Sequence, residues 1–311
     1  MNSLTVDRTE KTQIGAMAAL VGVQITFGSL PVIAKVVLAV VPAVALVGFR
    51  VGVTAVILAL VQVFRRRFWL RERSDYLRFA ILSLFGVTFN QLLFIGGLSL
   101  TKASNTSLLA VTIPIFAIVL GGLTGIESFR RATIFGLVLA VVGVILIIDP
   151  RKASFSSETT IGDLLIILNS FCYGTYVATS KEAITRNGAF RSMMWVFLFA
   201  SVICVPLGVW SISTTGTEVI SGRIWLYMLH IAVVATAVPY LLNAWALARV
   251  PPSTVAVFIY LQPLIGFALA AIYLGESIDA AFIAAAVLIF AGLYFVTKRP
   301  VKRVNTGRME T

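Results

Sequence analysis

Polar side chains recur at helical spacing inside long apolar runs, and any chemistry this chain performs must involve them. Gln24, Gly28 and Pro31 fall at i, i+4 and i+7. Asn169, Tyr173 and Tyr176 repeat that spacing, as do Thr236, Tyr240 and Asn243, while Asn90 and Gln91 sit mid-run and Tyr260 and Gln262 precede Pro263. The spacing puts each set on one face of a helix. Such groups are costly in hydrocarbon unless they are bonded. They read either as hydrogen-bonding glue between helices or as the lining of a shared cavity, and their similar depth in five runs favours the cavity. Amides and hydroxyls can satisfy an ammonium and a carboxylate without fixed charge. Tyr173, Tyr176 and Tyr240 add faces for stacking or cation–π contact. The substrate-binding candidates are therefore Gln24, Asn90, Gln91, Asn169, Tyr173, Tyr176, Tyr240, Asn243 and Gln262. Pro114 and Pro263 interrupt two further runs. Each removes an amide donor and bends its helix, as a hinge or as a static kink.

Other chemistry is missing its residues. No Asp or Glu occupies the centre of a run; Glu127, Asp163, Glu276 and Asp279 stand at ends. This argues against proton antiport through a mid-membrane carboxylate. No basic pair lies at mid-depth, as a phosphorylated substrate would require. One histidine and two cysteines, Cys172 and Cys204, both inside apolar runs, make neither a metal centre nor a disulfide framework. No cofactor is called for. An intramembrane hydrolase would need paired catalytic groups at depth, so the chain reads as a non-enzyme.

The elements that position these residues follow from composition. The 311-residue chain is 59% hydrophobic and 12% charged, with a mean hydropathy of +0.97. Soluble domains carry about 25% charged residues, so a bilayer is the natural solvent. A spanning helix takes roughly 20 apolar residues. Ten runs qualify: 14–34, 43–64, 77–99, 103–123, 131–148, 162–180, 192–212, 224–246, 253–273 and 279–297. The first lacks a basic flank and a cleavage site and reads as a retained helix. Little chain remains for a soluble domain. The N-terminal tail, segment 65–78, the connections near 130, 181–191 and 249, and the C-terminal tail hold 19 of the 25 Lys and Arg, against five on the other side. That bias places both termini in the cytoplasm. The net charge of +12 is then a topology signal, not a nucleic-acid footprint. On this topology Arg50 and His230 lie in the outer thirds of their spans, as candidates for charge at an outer mouth. Arg50 would grip a substrate carboxylate, snorkel to headgroups or pair with Asp163. His230 would titrate or be structural.

The chain also repeats. Pro114 precedes Glu127 by 13 residues and Pro263 precedes Glu276 by 13, an offset of 149 that Gly143 and Gly292 share; Gly28 and Lys35 match Gly174 and Lys181 at 146. Two halves of five spans, 1–150 and 151–311, enter the membrane from opposite sides, an inverted repeat. The expected fold is an all-α integral membrane protein of ten helices around a central cavity. Each half ends in a characteristic segment, "LSLTKASNTSLLAVTIPIFAIVLGGLTGIE" then "FGLVLAVVGVILI", and "ALARVPPSTVAVFIYLQPLIGFALAAIYLGE" then "AAAVLIFAGLYFV". With "GFR" at 48–50, these resemble the EamA family of the drug/metabolite transporter superfamily. Gly275-Glu276 fits the pattern, while Ile126-Glu127 departs from it. The resemblance implies that the fifth and tenth helices pack as a scaffold and that flux runs outward.

Small residues support such packing: Gly136 and Gly143 share a stripe, as do Ala281, Ala284, Ala285 and Gly292. Gly48-x3-Gly52 and Gly121-x3-Gly125 have the spacing of a helix-dimer motif, read as contact within the chain or in a homo-oligomer. The expected function is alternating-access export of amino acids or related zwitterions across a bacterial cytoplasmic (inner) membrane. The alternatives are efflux of hydrophobic drugs or amines, and a non-transporting membrane sensor or assembly subunit.

Overall fold

The computed structural model describes residues 2–101, 103–128, 130–148, 159–215, 220–265 and 280–298. Every regular element among them is helical. In chain order these are α1 (Asn2–Leu38), α2 (Ala43–Phe64), α3 (Arg73–Leu100), α4 (Ala103–Leu109), α5 (Thr112–Leu123), α6 (Arg131–Ile148), α7 (Thr160–Asn187), α8 (Ala189–Thr215), α9 (Gly222–Leu247), α10 (Pro252–Ile265) and α11 (Ala280–Thr297). Six helices, α1 from Thr12 onward, α2, α3, α7, α8 and α9, are long and apolar enough to cross a membrane, and the other apolar helices described are shorter. The chain is a multi-pass membrane protein. Large apolar side chains such as Phe64, Leu123, Val202 and Leu226 face outward, as a lipid-facing surface requires. Residues 266–279 lie outside the described set, and with them the end of the expected ninth span, Gly275, Glu276 and Asp279.

Close helix approach explains several small residues. A Cβ on Gly136 would lie 2.6 Å from Gly292 O, and one on Gly143 2.9 Å from Ala285 O, so α6 and α11 meet backbone to backbone. Across α2 and α8 a Cβ on Gly48 would lie 2.7 Å from Cys204 O and 2.9 Å from Gly208 Cα, and one on Gly52 would meet Val205 at 3.0 Å. Of the two readings of the Gly48-x3-Gly52 motif, packing within the chain is the one realised.

The helices that carry polar groups are irregular. π-Helical turns interrupt α3 at Leu84–Thr88 and α9 at Val233–Ala237, 149 residues apart. The chain breaks helix at Ala110–Val111 between α4 and α5, and α10 tightens to a 3-10 turn over Phe258–Tyr260. Both irregularities precede a proline, Pro114 or Pro263. A proline ring clashes with the carbonyl four residues back and cannot supply its amide partner; before Pro114 the Ala110 carbonyl accepts from the Ile113 amide (3.1 Å) instead. The chain thus departs from α-helical geometry on the N-terminal side of each proline, as a break before Pro114 and a 3-10 turn before Pro263.

Ionic groups fasten the helix ends. Lys35 Nζ donates to Thr101 O (2.9 Å), and Lys181 Nζ donates to Val250 O. Both lysines hold the carbonyl end of a long helix, α3 and α9 respectively, where a cation is favoured. Asp163 accepts from Thr101 Oγ1 (2.6 Å) and from Asn105 Nδ2. At the opposite end of α7, the buried Asp75 accepts from Arg186 Nε (3.1 Å), Arg186 Nη2 and Asn187 Nδ2 (2.7 Å). Glu127, after α5, accepts from the Ser253 amide (3.0 Å) and hydroxyl at the start of α10.

Candidate functional site: a polar cavity between the helices

A cavity of about 100 Å³ lies among α1, α2, α3, α4, α5, α7, α9 and α10. Of the residues singled out above, Gln24, Asn90, Gln91, Asn169, Tyr173, Tyr240, Asn243 and Gln262 line it. All are buried except Gln262, which is partly so.

Their hydrogen bonds run from helix to helix. Gln91 Nε2 donates to Tyr240 Oη (2.8 Å), joining α3 to α9. The Tyr240 hydroxyl has Asn90 Oδ1 at 2.9 Å and Gly86 O at 3.0 Å as acceptors for its single proton. Asn169 Nδ2 on α7 donates to Asn90 O (2.7 Å), and Asn243 Nδ2 on α9 donates to Tyr173 Oη (3.1 Å). Gln262 Nε2 donates to Gln24 Oε1 (2.8 Å), closing the wall between α10 and α1. Tyr260 Oη donates to Val111 O (3.0 Å), a carbonyl at the α4–α5 break. Irregular backbone survives in hydrocarbon only where such partners or a cavity serve it.

Several candidates fall elsewhere. Tyr176 does not line the cavity. It stacks on Tyr173 (centroids 6.0 Å apart), places its hydroxyl 3.6 Å from Met193 Sδ, and presses its ring on Gly86, where a Cβ would come within 2.4 Å of it. Seven residues of helix rise about 10 Å, so the 169–176 stripe outruns the cavity. Tyr176 supports the wall from behind. His230 is partly buried, and its Nε2 has no hydrogen-bond partner; it too is absent from the cavity lining. Gly28 lies beside Ile265 on the same face of α1 as Gln24.

Arg50 is the main correction. It neither reaches a headgroup layer nor pairs with Asp163. The side chain is 0% exposed and lines the cavity. Nε donates to Thr236 Oγ1 (2.9 Å) and Nη2 to Ala235 O (3.2 Å), within the π turn of α9. Thr54, one turn on, donates to Ala232 O (3.1 Å). The expected neutral cavity therefore carries one guanidinium. Position along α2 alone did not reveal this, because the partners of Arg50, one hydroxyl and one carbonyl, come from α9, 185 residues and more along the chain. The sequence reading also missed Phe27, Phe94 and Thr106. Phe27 meets Tyr240 edge to face at 6.0 Å, and its place three residues after Gln24, on the same helix face, was the available signal.

The arrangement gathers side chains able to hydrogen-bond a small molecule. It offers amides, phenols and one cation around a small space with a largely apolar remainder. Residues 13–149 and again 160–298 match the EamA-like transporter family. The chain belongs to that family. Proteins similar to it include a transporter of Archaeoglobus fulgidus, 25% identical over 238 residues, which are 75% of this chain and 81% of that one. A probable amino-acid metabolite efflux pump of Salmonella typhimurium is 28% identical over 188 residues, 58% of this chain and 62% of the pump. The threonine/homoserine exporter RhtA of the same organism is 27% identical over 161 residues, 49% of this chain and 50% of RhtA. A solved crystal structure superposes with a TM-score of 0.70 at 16% identity, covering 93% of this chain and 97% of that one. It shares the fold.

Proposed function

We propose that this EamA protein exports small metabolites, amino acids or related zwitterions above all, by alternating access. The observation that carries the reading is the cavity whose polar wall is assembled from both halves of the sequence and crossed by hydrogen bonds between them. The names of the efflux pump and the exporter among its relatives support the substrate class. Gln24, Asn90, Gln91, Asn169, Tyr173, Tyr240, Asn243 and Gln262 contact the substrate.

The same reading takes the chain as ten spans in two inverted five-helix repeats, 1–150 and 151–311. The family match falls once in each half. Contacts are also reciprocal at the 149-residue offset. Gly136 meets Gly292 and Gly143 meets Ala285, which is the pattern a two-fold axis between equivalent helices requires. Gln91 touches Tyr240, its own equivalent. The halves rock at the breaks beside Pro114 and Pro263. Both termini lie in the cytoplasm of a cell whose inner membrane holds the protein.

Counterflow tests this. Purified protein in liposomes, loaded with a mixture of amino acids and related metabolites, is assayed by mass spectrometry. Saturable exchange of a few zwitterions is expected, with Tyr240→Ala and Gln24→Ala each impairing it at normal expression. Undiminished exchange in both variants removes the cavity from the mechanism.

A further inference from the structure

Arg50 is more than a brace for α9. A guanidinium carries five N–H donors. Nε and one hydrogen of Nη2 are committed to Thr236 and Ala235 O. Nη1 is buried and has no hydrogen-bond partner. Three hydrogens remain, two on Nη1 and one on Nη2, and one from each nitrogen lies on the end-on edge of the fork, which can take a carboxylate in bidentate fashion. Among the described residues no acidic side chain pairs with Arg50 and none lines the cavity. A charge held this deep without a counter-ion is strongly unfavourable. A protein that keeps it gains most from a ligand that brings the missing charge.

We infer that the substrate of this cavity must carry a carboxylate, bound end-on by Arg50 Nη1 and Nη2, and need not carry an amine. The inference rests on the cavity being the transport site. The uncharged remainder of the wall explains the second half of the statement. Among the described lining residues an ammonium finds amide, phenol and hydroxyl oxygens but no carboxylate, so it is tolerated but gains no ion pair. One guanidinium matches one monoanion, while a phosphate dianion would leave a charge uncompensated. Phe27, Leu30, Phe94, Ile113 and Ile259 line the cavity as well and suit an apolar body. The substrate class is then amphiphilic monocarboxylates, with amino acids a subset. Cationic amines, the rival reading of this chain, are excluded by the like charge of Arg50.

Four probes with one isobutyl body test this: L-leucine, 4-methylvalerate, L-leucinamide and isoamylamine. Binding to the full chain in detergent is read by calorimetry, and flux is read by counterflow in liposomes. Leucine and 4-methylvalerate should bind comparably, and the amide and amine about tenfold or more weakly, the usual scale for losing a charge-assisted bidentate contact in a dry site. Arg50→Gln should erase the preference, and Arg50→Lys should retain part of it. Where Arg50→Gln does not fold, the probe series on the unaltered protein decides alone. Amine or amide binding as tight as acid binding overturns the inference, as does a folded Arg50→Gln that keeps the preference. Zwitterion counterflow with either result leaves the transport reading intact. No binding and no flux for any probe overturns both.

Discussion

Gly292→Ala measures how tightly α6 and α11 are fixed. An added Cβ would lie 2.5 Å from Gly136 O, 2.8 Å from Ala140 Cβ and 2.9 Å from Ala140 N. Two of these neighbours are backbone, so no rotamer change relieves them. Ordinary contact begins at 3.4 Å, and the helices must part by roughly 0.9 Å along that line. A gap of that size forfeits about a quarter to a half of each displaced dispersion contact, and overpacking of this kind costs about 1–3 kcal/mol. Alanine's better helix propensity works the other way by about 1 kcal/mol. Gly96→Ala isolates that propensity term, because its Cβ would meet only Leu165 Cδ1 at 3.9 Å. Reversible unfolding in mixed micelles should therefore place Gly292→Ala below Gly96→Ala by about 1–3 kcal/mol. If the pair is a static scaffold, leucine affinity should not change in either variant. Equal stabilities would refute the backbone-to-backbone packing, and a changed affinity at equal stability would make the pair a moving part.

Two further outcomes follow from particular contacts. Tyr176→Phe should leave counterflow unchanged, since its hydroxyl touches only the support layer, whereas Tyr173→Phe should slow it by taking the acceptor from Asn243 Nδ2; equal effects would put Tyr176 back in the wall. Asp75→Asn should lower the thermal midpoint at any ionic strength, because a fully buried carboxylate ties Arg186 and Asn187 to α3. Glu182→Gln, 69% exposed in its pair with Arg78, should matter only at low salt, where surface pairs are unscreened.

Much of this was legible in the sequence because lipid narrows the choices. Apolar length gives helices, and a polar group at depth must find a partner, so Gln24, Asn169 and Asn243 declared themselves by spacing. Tyr176 shows the limit of that rule: a stripe names a face, not how far along it the cavity extends. Arg50 shows another, since one of its two partners is a backbone carbonyl in the π turn of α9, which no sequence pattern marks. The π turns carry no composition of their own. Gly86, in the first of them, reads as an ordinary small residue until the Tyr176 ring is seen against it.

The irregular backbone and the cavity have one physical origin. Each interruption exposes carbonyls in a solvent that cannot bond them, and three of them are answered by a side chain from another helix: Gly86 O by Tyr240, Val111 O by Tyr260, Ala235 O by Arg50. Tyr240 and Arg50 meet this demand with a hydrogen or a lone pair to spare, and both border the cavity. Thr236 Oγ1 and Ala235 O, both within Val233–Ala237, are the partners on which the buried guanidinium leans. The π turn thus holds a cation at this depth, and the cation is what gives an otherwise neutral cavity a sign.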